Sequence, residues 1–353
     1  MLRIILVIFF LSILLFAYPA WRLGSWLELS TVVILAFTVP LFLSQFIARF
    51  GLRHSRGTAA YIIRGAADFA LGISPVLLIH VLLAEIVLLI VDISTVFVAI
   101  LILCSATLIG LFGLRKAWRP EVVDVRLSSE KLRRRVRFVQ ISDVHIGSRT
   151  SRFLEQLMDT VNGLQPEFLC ITGDFIDQPG VSEEKLKSLR SFNGPIYYCT
   201  GNHEHYEDLE DILRRLRSLG VEVLRGRSVA LDGLQIIGID DAADPKQVAK
   251  VLQTIDVRDE DYTILLYHRP HGLEDAQQHG VNLKLSGHTH NGQIMPFHLA
   301  VRKTFRYTRG LYQFKDTYLY VNEGSGTWGP TLRIGTRSEI THFELSPKVT
   351  PAH

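Results

Sequence analysis

Short polar segments in the second half of the sequence are rich in side chains that bind metal ions. They contain carboxylates, imidazoles and an amide, which suit borderline divalent ions such as manganese, iron or zinc better than calcium. In chain order the candidate ligands are Asp143, His145, Asp174, Asn202, His268, His288 and His290. Together they suffice for two ions, which can hold the attacking and departing oxygens of a displacement reaction. The sequence therefore predicts a dinuclear hydrolytic centre.

The elements that must position these ligands are strands. Apolar segments that precede the ligands predict strands at 136–142, 168–172, 196–200, 262–267 and 283–286. Helical patterns around 153–164, 182–191 and 209–219 separate the first of them, and this alternation is typical of an α/β domain. Ligands bind at the carboxyl ends of strands in such folds, so we expect the candidates to converge there.

The number of strands indicates more than one sheet. Further strand patterns lie at 221–224, 228–231, 234–240, 317–321 and 339–345. The most economical arrangement is an α/β fold of two facing mixed β-sheets flanked by helices. Gly173, Gly201 and Gly287 adjoin candidate ligands, and we expect them to permit the sharp backbone turns there.

The first third of the chain has a different composition. Four apolar stretches run near residues 2–18, 27–47, 69–91 and 93–114, each close to the roughly 20 residues that cross a bilayer. We predict an all-α membrane domain at 1–116, a basic linker at 117–135, a catalytic domain at 136–346 and a tail at 347–353. Only Asp92 separates the last two stretches, so three spans is the main alternative to four. The first stretch is also open to interpretation as a signal peptide.

The charges predict the orientation in the membrane. In a four-span arrangement most cations of the membrane domain share one side, namely Arg3, Arg49, Arg53, Arg56, Arg64, Arg115, Lys116 and Arg119. The positive-inside rule then predicts a multi-pass protein of the inner membrane with its catalytic domain in the cytoplasm. Three spans would place that domain outside. The basic linker either contacts anionic lipid headgroups or forms a solvated edge strand.

The charge balance excludes one class of partner. Residues 1–120 contain nine Lys and Arg against four Asp and Glu, which leaves 29 against 31 in the remainder. The second part is therefore not a basic nucleic-acid-binding domain, and no protein partner is indicated. Within the membrane domain, His80 and Glu85 are costly unless they have polar partners.

The ordered motifs resemble the calcineurin-like metallophosphoesterase superfamily, and the stretch 286–293 with the N-terminal membrane region is similar to its membrane-associated bacterial branch. The resemblance covers about residues 137–345 and implies a four-layer sandwich. It also implies a division of the ligands. One metal would be held by Asp143, His145 and His290, the other by Asn202, His268 and His288, with Asp174 bridging both.

The resemblance implies that the protein is a metal-dependent phosphoesterase in which a bridging hydroxide attacks phosphorus. His203 would stabilise the phosphoryl oxygens or protonate the leaving group, and Asp177 would orient His203. The membrane domain favours a phosphorylated substrate that is lipid-linked or a headgroup, cleaved at a phosphoester or pyrophosphate. The alternatives are a phosphodiesterase for soluble nucleotides, a non-catalytic metal-binding scaffold, or the regulatory domain of a membrane protein.

Three other groups of polar residues are open to a structural interpretation. Glu204 and His205 would contact substrate or only begin a helix. The acidic residues from Asp240 to Asp244 are typical of a helix-entry loop. The segment that contains Arg302, Lys303, Arg306 and Arg309, which alternate with Phe305 and Tyr307, is expected either to meet phosphate and an apolar chain or to be a solvated loop.

Overall fold

The computed structural model describes residues 2–52, 55 and 57–348, without the side chains of residues 2–5 and 8. Arg3, Arg53, Arg56 and the tail beyond residue 348, which entered the predictions above, therefore lie outside the described side chains or residues. The chain divides into two compact units. The first comprises Met1–Lys116, Ile294–Pro296 and Gly329–Gly335, and the second comprises the remaining residues.

The first unit is helical. Its elements are α1 (Leu2–Ser12), a π-helical turn (Ile13–Ala17), α2 (Tyr18–Trp26), α3 (Thr31–Phe46), a second π-helical turn (Ile47–Gly51), α4 (Thr58–Leu88) and α5 (Thr95–Trp118). Among the described residues, three helices are long and apolar enough to cross a membrane: Thr31–Gly51, Thr58–Leu88 and Thr95–Trp118. A turn around Asp92 separates α4 from α5. The fourth span and the orientation stay predictions.

Glu85 on α4 has polar partners within the same unit. Its carboxylate accepts a hydrogen bond from the Tyr18 hydroxyl at 2.6 Å and forms an ion pair with Arg22, both on α2. The guanidinium of Arg22 also lies over the Trp26 ring, 5.0 Å from its centroid. A carboxylate in an apolar helix is tolerated when it is paired in this way, so these contacts explain Glu85 as a link between α2 and α4.

Two short segments of the expected catalytic range belong to the helical unit instead. The carbonyl of Gly113 on α5 accepts a hydrogen bond from the Arg333 N–H at 3.1 Å, and Met295 N–H donates to the Ile334 carbonyl at 2.9 Å. A Cβ at Gly72 would lie only 2.6 Å from Leu332, so glycine permits this close approach. These segments lie in the chain range predicted for the catalytic domain but pack in the helical unit, because packing and not chain order decides where they lie.

The described residues of the second unit form twelve strands. They are β1 (Glu121–Ser129), β2 (Val136–Ile141), β3 (Phe168–Thr172), β4 (Ile196–Cys199), β5 (Val221–Val223), β6 (Arg227–Leu231), β7 (Leu234–Gly238), β8 (Tyr262–Leu266), β9 (Leu283–Ser286), β10 (Gly310–Phe314), β11 (Thr317–Val321) and β12 (Glu339–Pro347). One sheet has the order β1-β12-β2-β3-β4-β5 and the other β10-β11-β9-β8-β7-β6. Both mix parallel and antiparallel pairs.

The two sheets share an apolar core. Phe138 on β2 stacks between Phe168 and Phe343 of the neighbouring strands, with ring centroids 4.8 and 4.7 Å away. Tyr320 of the other sheet packs edge-on against Phe343 at 5.3 Å. A fully buried phenylalanine stabilises a fold by about 1.5–3 kcal/mol, so this cluster is a major part of the contact between the sheets.

Helices cover both outer faces. The helices in the described part of the second unit are α6 (Ser151–Gly163), α7 (Glu183–Leu186), α8 (Leu209–Ser218), α9 (Gln247–Leu252), α10 (Leu273–Gln278) and α11 (His298–Thr304), and of these α11 buries none of its residues. Apolar residues of α6 and α8 pack on the first sheet, and those of α9 and α10 pack on the second. The side chain of Thr150 caps α6 by accepting from the Phe153 N–H. The expected fold of two mixed sheets flanked by helices is confirmed.

Part of the expected linker is a strand. Residues 121–129 form β1, which pairs in parallel with β12 from Glu121 opposite Glu339 to Ser129 opposite Pro347. The first part of this basic segment is thus an edge strand, and contact of its cations with lipid headgroups stays a prediction. The sequence analysis also missed β10, whose half-exposed side chains lack the run of buried apolar residues that marks the central strands.

Candidate metal centre

The carboxyl ends of strands from both sheets carry the candidate ligands. Asp143 follows β2, Asp174 follows β3, and His268 and His288 follow β8 and β9. Two groups of three side chains each place their ligand atoms within 4.8 Å of one another. The first group is Asp143, His145 and His290, and the second is Asp174, His268 and His288. The convergence predicted from the strand pattern is thus seen for six of the seven ligands.

The first group is buried. The Nε2 atoms of His145 and His290 lie 3.2 Å apart, and the second of these is 3.3 Å from an oxygen of Asp143. The backbone N–H of His288 donates to the Asp143 carboxylate at 3.0 Å, which fixes the orientation of that carboxylate. Three ligand atoms that converge on one point in this way suit a single divalent ion.

The second group is joined by His268. Its Nδ1 donates to the Thr172 carbonyl at 2.7 Å, so Nε2 is left to act as a ligand. This Nε2 lies 3.2 Å from an oxygen of Asp174 and 3.2 Å from Nδ1 of His288. A carbonyl that orients a histidine from behind is the usual support for a metal ligand.

Asn202 provides an independent test of whether the residues fit a metal. Its Oδ1 atom is buried and has no hydrogen-bond partner in the described part of the chain. An unpaired buried carbonyl is costly, by about 1–3 kcal/mol, unless another ligand satisfies it. A divalent ion would do so, and the donor set around it has the imidazoles and carboxylates that such ions prefer.

The metal ligands themselves adopt a backbone conformation that side chains rarely take. The φ angles of Asp143, His145, Asp174, His288 and His290 lie between 47° and 73°, in the left-handed region. Each such residue costs of order 1 kcal/mol or more, and this strain concentrates at functional sites where the surrounding structure holds it. The sharp turns therefore arise at the ligands, whereas we expected them only at the neighbouring glycines.

The glycines have a more specific role than the expected one. Of the three glycines that adjoin candidate ligands, only Gly173 has a φ angle in the left-handed region, at 84°. A Cβ at Gly201 would overlap the Asp174 carboxylate, and one at Gly287 would overlap Ser142 and the Asp143 carboxylate. These two glycines are thus required because the carboxylate of a candidate ligand occupies the space that a side chain would fill.

His203 lies next to both groups. Its ring packs edge-on against the His145 ring, with centroids 4.8 Å apart, and its Nε2 is 3.9 Å from an oxygen of Asp174. The backbone N–H of His203 donates to the other Asp174 oxygen at 2.8 Å. Burial, reinforced by His145, lowers the pKa of His203 and favours the neutral imidazole near pH 7.

Asp177 contacts a different histidine from the one we expected. One of its oxygens lies 3.4 Å from Nδ1 of His145, and the other accepts from the Ser148 N–H at 2.9 Å. The bridge between Ile146 and Ile176 aligns the two ligand loops and brings Asp177 beneath His145. Asp177 is therefore placed to orient a ligand of the first group, and the expected pairing with His203 is replaced by this contact.

Glu204, which we expected to contact substrate or begin a helix, holds two ligand loops together. Its side chain is fully buried, and its two oxygens accept four backbone N–H groups, from Asp174, Phe175, Ile176 and Gly201, at 2.6–3.1 Å. Burial, reinforced by Asp174, raises the pKa of Glu204 to about 7. His205, by contrast, is exposed.

The ligand histidines differ in their affinity for protons. Burial opposes protonation of His268, but Asp174 outweighs it and raises the pKa to about 10. Burial and the neighbouring His268 lower the pKa of His288 to about 3. A divalent ion must therefore displace a proton from His268, whereas His288 is available as a neutral ligand.

The acidic residues after β7 have structural partners. Asp241 accepts two hydrogen bonds from the Arg269 guanidinium at 2.6 and 2.9 Å, and Asp240 accepts from Thr200 at 3.0 Å. Asp244 pairs with Lys250 at 2.5 Å. These contacts are consistent with the interpretation of this segment as a loop that leads into a helix. The partner of Asp241, Arg269, directly follows the candidate ligand His268 in the chain.

Lys284 is a buried cation that the sequence analysis missed. It has no exposed surface, and its Nζ donates to the Arg269 carbonyl at 2.8 Å and to the Ser286 hydroxyl at 2.5 Å. Burial lowers its pKa to about 7. The signal in the sequence is a lysine between two leucines of a predicted buried strand. Lysine is almost never fully buried without a polar partner, so this position indicates one.

Replacing Lys284 with methionine is expected to change how stability depends on pH. Between about pH 7 and 10.5 the unfolded chain binds a proton at Lys284 that the folded chain has lost, so the native protein should gain stability as pH rises. Relative to the Met variant, this gain should approach about 1.4 kcal/mol per pH unit. Thermal unfolding of the chelated protein in detergent at pH 7 to 9.5 measures it, with the exposed Lys185→Met as control. Parallel curves for Lys284→Met and the native protein would contradict the pKa assignment.

The fold and the site together define a class of protein: two facing mixed sheets whose strand ends bring together two adjacent groups of metal ligands, as in metallophosphoesterases. A family model for calcineurin-like phosphoesterase matches residues 136–292. An uncharacterised metallophosphoesterase of Aquifex aeolicus is 31% identical over 261 residues, which are 69% of this chain and 98% of the relative. The chain belongs to the calcineurin-like phosphoesterase family.

Two further relatives are also similar. An uncharacterised metallophosphoesterase of Helicobacter pylori is 34% identical over 244 residues, and the match spans 65% of this chain and 65% of that protein. A transmembrane protein with metallophosphoesterase domain from Danio rerio is 32% identical over 279 residues, 70% of this chain and 62% of that protein. Family members with a membrane region therefore exist.

Proposed function

We propose that this protein is a membrane-anchored phosphoesterase that uses two divalent metal ions to cleave a phosphoester or pyrophosphate. The observation that carries the proposal is the pair of ligand groups, each with its ligand atoms within 4.8 Å, beside the unpaired buried Oδ1 of Asn202. Manganese, iron or zinc suit this donor set. Two such ions would activate the attacking water and stabilise charge on the transferred phosphoryl group.

The residues of the chain divide into binding and positioning roles in this proposal. The seven ligands hold the ions, with Asp174 shared between them. Asp177 orients His145 in the first group. His203 is the group that stabilises the phosphoryl oxygens or protonates the leaving group, because its ring packs against His145 and its Nε2 lies 3.9 Å from Asp174.

Replacing His203 with alanine is expected to lower kcat by about 10²- to 10⁴-fold while the metal content is unchanged. The reason is that its ring contributes to the reaction, whereas its hydrogen bond to Asp174 comes from the backbone N–H, which alanine keeps. Metal analysis and turnover of an aryl phosphodiester measure the two effects separately. His205→Ala, two residues away and exposed, is the matched control. Equal loss of metal and activity would refute the catalytic role.

We further propose a lipid-linked or headgroup substrate in preference to a soluble nucleotide. Tyr206 and Trp328 are exposed, and their rings lie 5.6 and 5.9 Å from the His203 ring. Gln293 holds the Trp328 backbone through two hydrogen bonds, of 3.0 and 2.9 Å. Two exposed aromatic rings beside the reacting histidine offer an apolar surface that an acyl or prenyl chain would cover.

A substrate panel separates these possibilities. The purified, metal-loaded full chain is assayed on lipid phosphates in mixed micelles, on nucleotides and on aryl phosphodiesters, with Asp174→Ala as the blank. Turnover of lipid phosphate is expected. Cleavage of aryl phosphodiesters without cleavage of any lipid phosphate would refute the lipid assignment, and an inactive but metal-loaded protein would favour the scaffold. Accessibility of a tag at residue 353 in spheroplasts tests the proposed cytoplasmic orientation.

A further inference from the structure

A cavity in the second unit lies beside the candidate metal centre and has a different chemistry. Its volume is about 300 Å³. The residues that line it are Arg302, Phe305, Arg306, Thr308, Arg309 and Tyr312. Half of the lining residues are arginines and none is acidic, so we call it the arginine cavity. From the sequence, this segment was expected to be either a loop that meets phosphate and an apolar chain or a solvated loop.

Two contacts connect the arginine cavity to the metal ligands. The ring of Phe305 packs edge-on against the ring of His288, with centroids 5.3 Å apart. The carbonyl of Thr308 accepts a hydrogen bond at 2.6 Å from the hydroxyl of Thr289, which lies between two ligands in the chain. The wall of the cavity therefore touches the ligand turn, and a substrate bound at the metals is within reach of it.

The arginines have weak competitors for an anion. Arg306 pairs with Glu274 at 2.9 Å, and both side chains are exposed. Arg309 lies 3.8 Å from Glu323. Arg302 has no ion pair within 4.0 Å among the residues that the structure describes. The exposed pair of Arg306 and Glu274 contributes about 0–1 kcal/mol, so an incoming oxyanion can recruit Arg306 at little cost. Glu323 is buried and also lies 3.3 Å from Arg337, so it keeps a cationic partner when Arg309 turns to the oxyanion.

We propose that the arginine cavity binds a second anionic group of the substrate, a phosphate or similar oxyanion other than the one that is cleaved. The inference rests on the proposed function of the metal centre. Guanidinium groups match phosphate oxygens through paired hydrogen bonds, and the rings of Phe305 and Tyr312 pack against the chain that joins the two groups. The substrate class is thus a phosphoester with a second negative group. That group is either part of a lipid headgroup or carried by a soluble ester.

Two synthetic substrates test the inference. Both are aryl phosphodiesters, and one carries in addition a non-hydrolysable phosphonate on its alcohol. The metal-loaded full chain is expected to prefer the second by about 10- to 100-fold in kcat/KM, mainly through KM. The double variant Arg302→Gln/Arg306→Gln should lose this preference and keep its turnover of the simple ester. Lys303→Gln is the matched control. Lys303 follows Arg302 in α11 and carries the same charge, but it does not line the cavity.

The possible failures are distinguishable. If the native protein cleaves both esters equally, or if the double variant keeps the preference, the arginine cavity is not an anion site although the proposed function stands. If the native protein cleaves neither ester, the proposed function fails. Whether the arginine cavity binds an anion is then decided by calorimetric binding of the phosphonate alcohol to the chelated protein. Binding that the double variant loses and Lys303→Gln keeps supports the cavity, and equal binding by all three overturns it.

A competition experiment distinguishes the two sources of the anionic group. If phosphatidate in micelles inhibits cleavage of the phosphonate ester more strongly than soluble glycerol phosphate does at equal concentration, the cavity is assigned to a lipid headgroup. The reverse order would assign it to a soluble ester. Inhibition by neither, with the arginine-dependent preference absent, would refute the proposal.

Discussion

Replacing Asp174 with alanine is expected to reduce turnover by at least about 10³-fold and to lower the metal content below two ions per chain. The Asp174 carboxylate lies 3.2 Å from Nε2 of His268 in one ligand group, and its other oxygen holds the backbone of His203. Its loss therefore removes a ligand and loosens the loop that carries Asn202. Metal analysis and turnover of an aryl phosphodiester measure the effect.

A second variant isolates the charge of Asp174. Asp174→Asn keeps an oxygen for the His203 N–H but removes the negative charge, so it should resemble alanine in metal content if the carboxylate bridges the ions. Burial opposes ionisation of Asp174, yet His268 outweighs it and lowers the pKa, which keeps the native group ionised for metal binding. Asp159→Ala, on the exposed face of α6, controls for charge. Full metal occupancy in both Asp174 variants would refute the shared-ligand role.

Replacing Glu204 with glutamine is expected to lower activity by about 10²-fold or more, although the change conserves shape. Both carboxylate oxygens accept two backbone N–H groups each. An amide supplies one acceptor only, and its NH₂ group would face two buried N–H donors. Each buried donor left unpaired costs about 1–3 kcal/mol, so the two ligand loops should separate. Turnover, metal affinity and thermal stability of the Gln variant should all fall.

The expected losses distinguish positioning from catalysis. Glu204 acts through the loops of Asp174 and Asn202, so excess metal should partly restore the activity of Glu204→Gln, whereas it should not restore His203→Ala. Glu155→Gln, on an exposed position of α6, is the matched control. Native metal affinity in Glu204→Gln would show that the four hydrogen bonds do not hold the ligand loops.

The strand-end rule explains why much of the site was predictable. Asp143, Asp174 and His268 each follow a run of buried apolar residues, and a chain that leaves a strand at the carboxyl end of an α/β sheet arrives at the ligand site. This information is local, so the sequence shows it. The edge strand β1 and the half-exposed strand β10 lack that local signal. Exposed and partly buried side chains alternate along them, so no run of buried apolar residues marks them.

Contacts over long sequence distances were not predictable in the same way. Asp177 is placed against His145 by the order of β2 and β3 in the first sheet, and Lys284 reaches the Arg269 carbonyl because β8 and β9 are neighbours in the second. The membership of Ile294–Pro296 in the helical unit likewise depends on packing. No spacing in the chain encodes these choices.

The sequence by itself predicted the candidate metal ligands, and it determined the α/β class that gathers them and an apolar first third with membrane-spanning character. Ligand type, strand pattern and hydrophobic length are local properties, so the sequence shows them. Only the tertiary structure decided that Glu204 unites two ligand loops, that the ligands carry the left-handed turns, and that three arginines line a cavity next to His288. Each of these depends on how close separate loops approach, and that distance is set by which strands are neighbours in a sheet and how the loops after them pack.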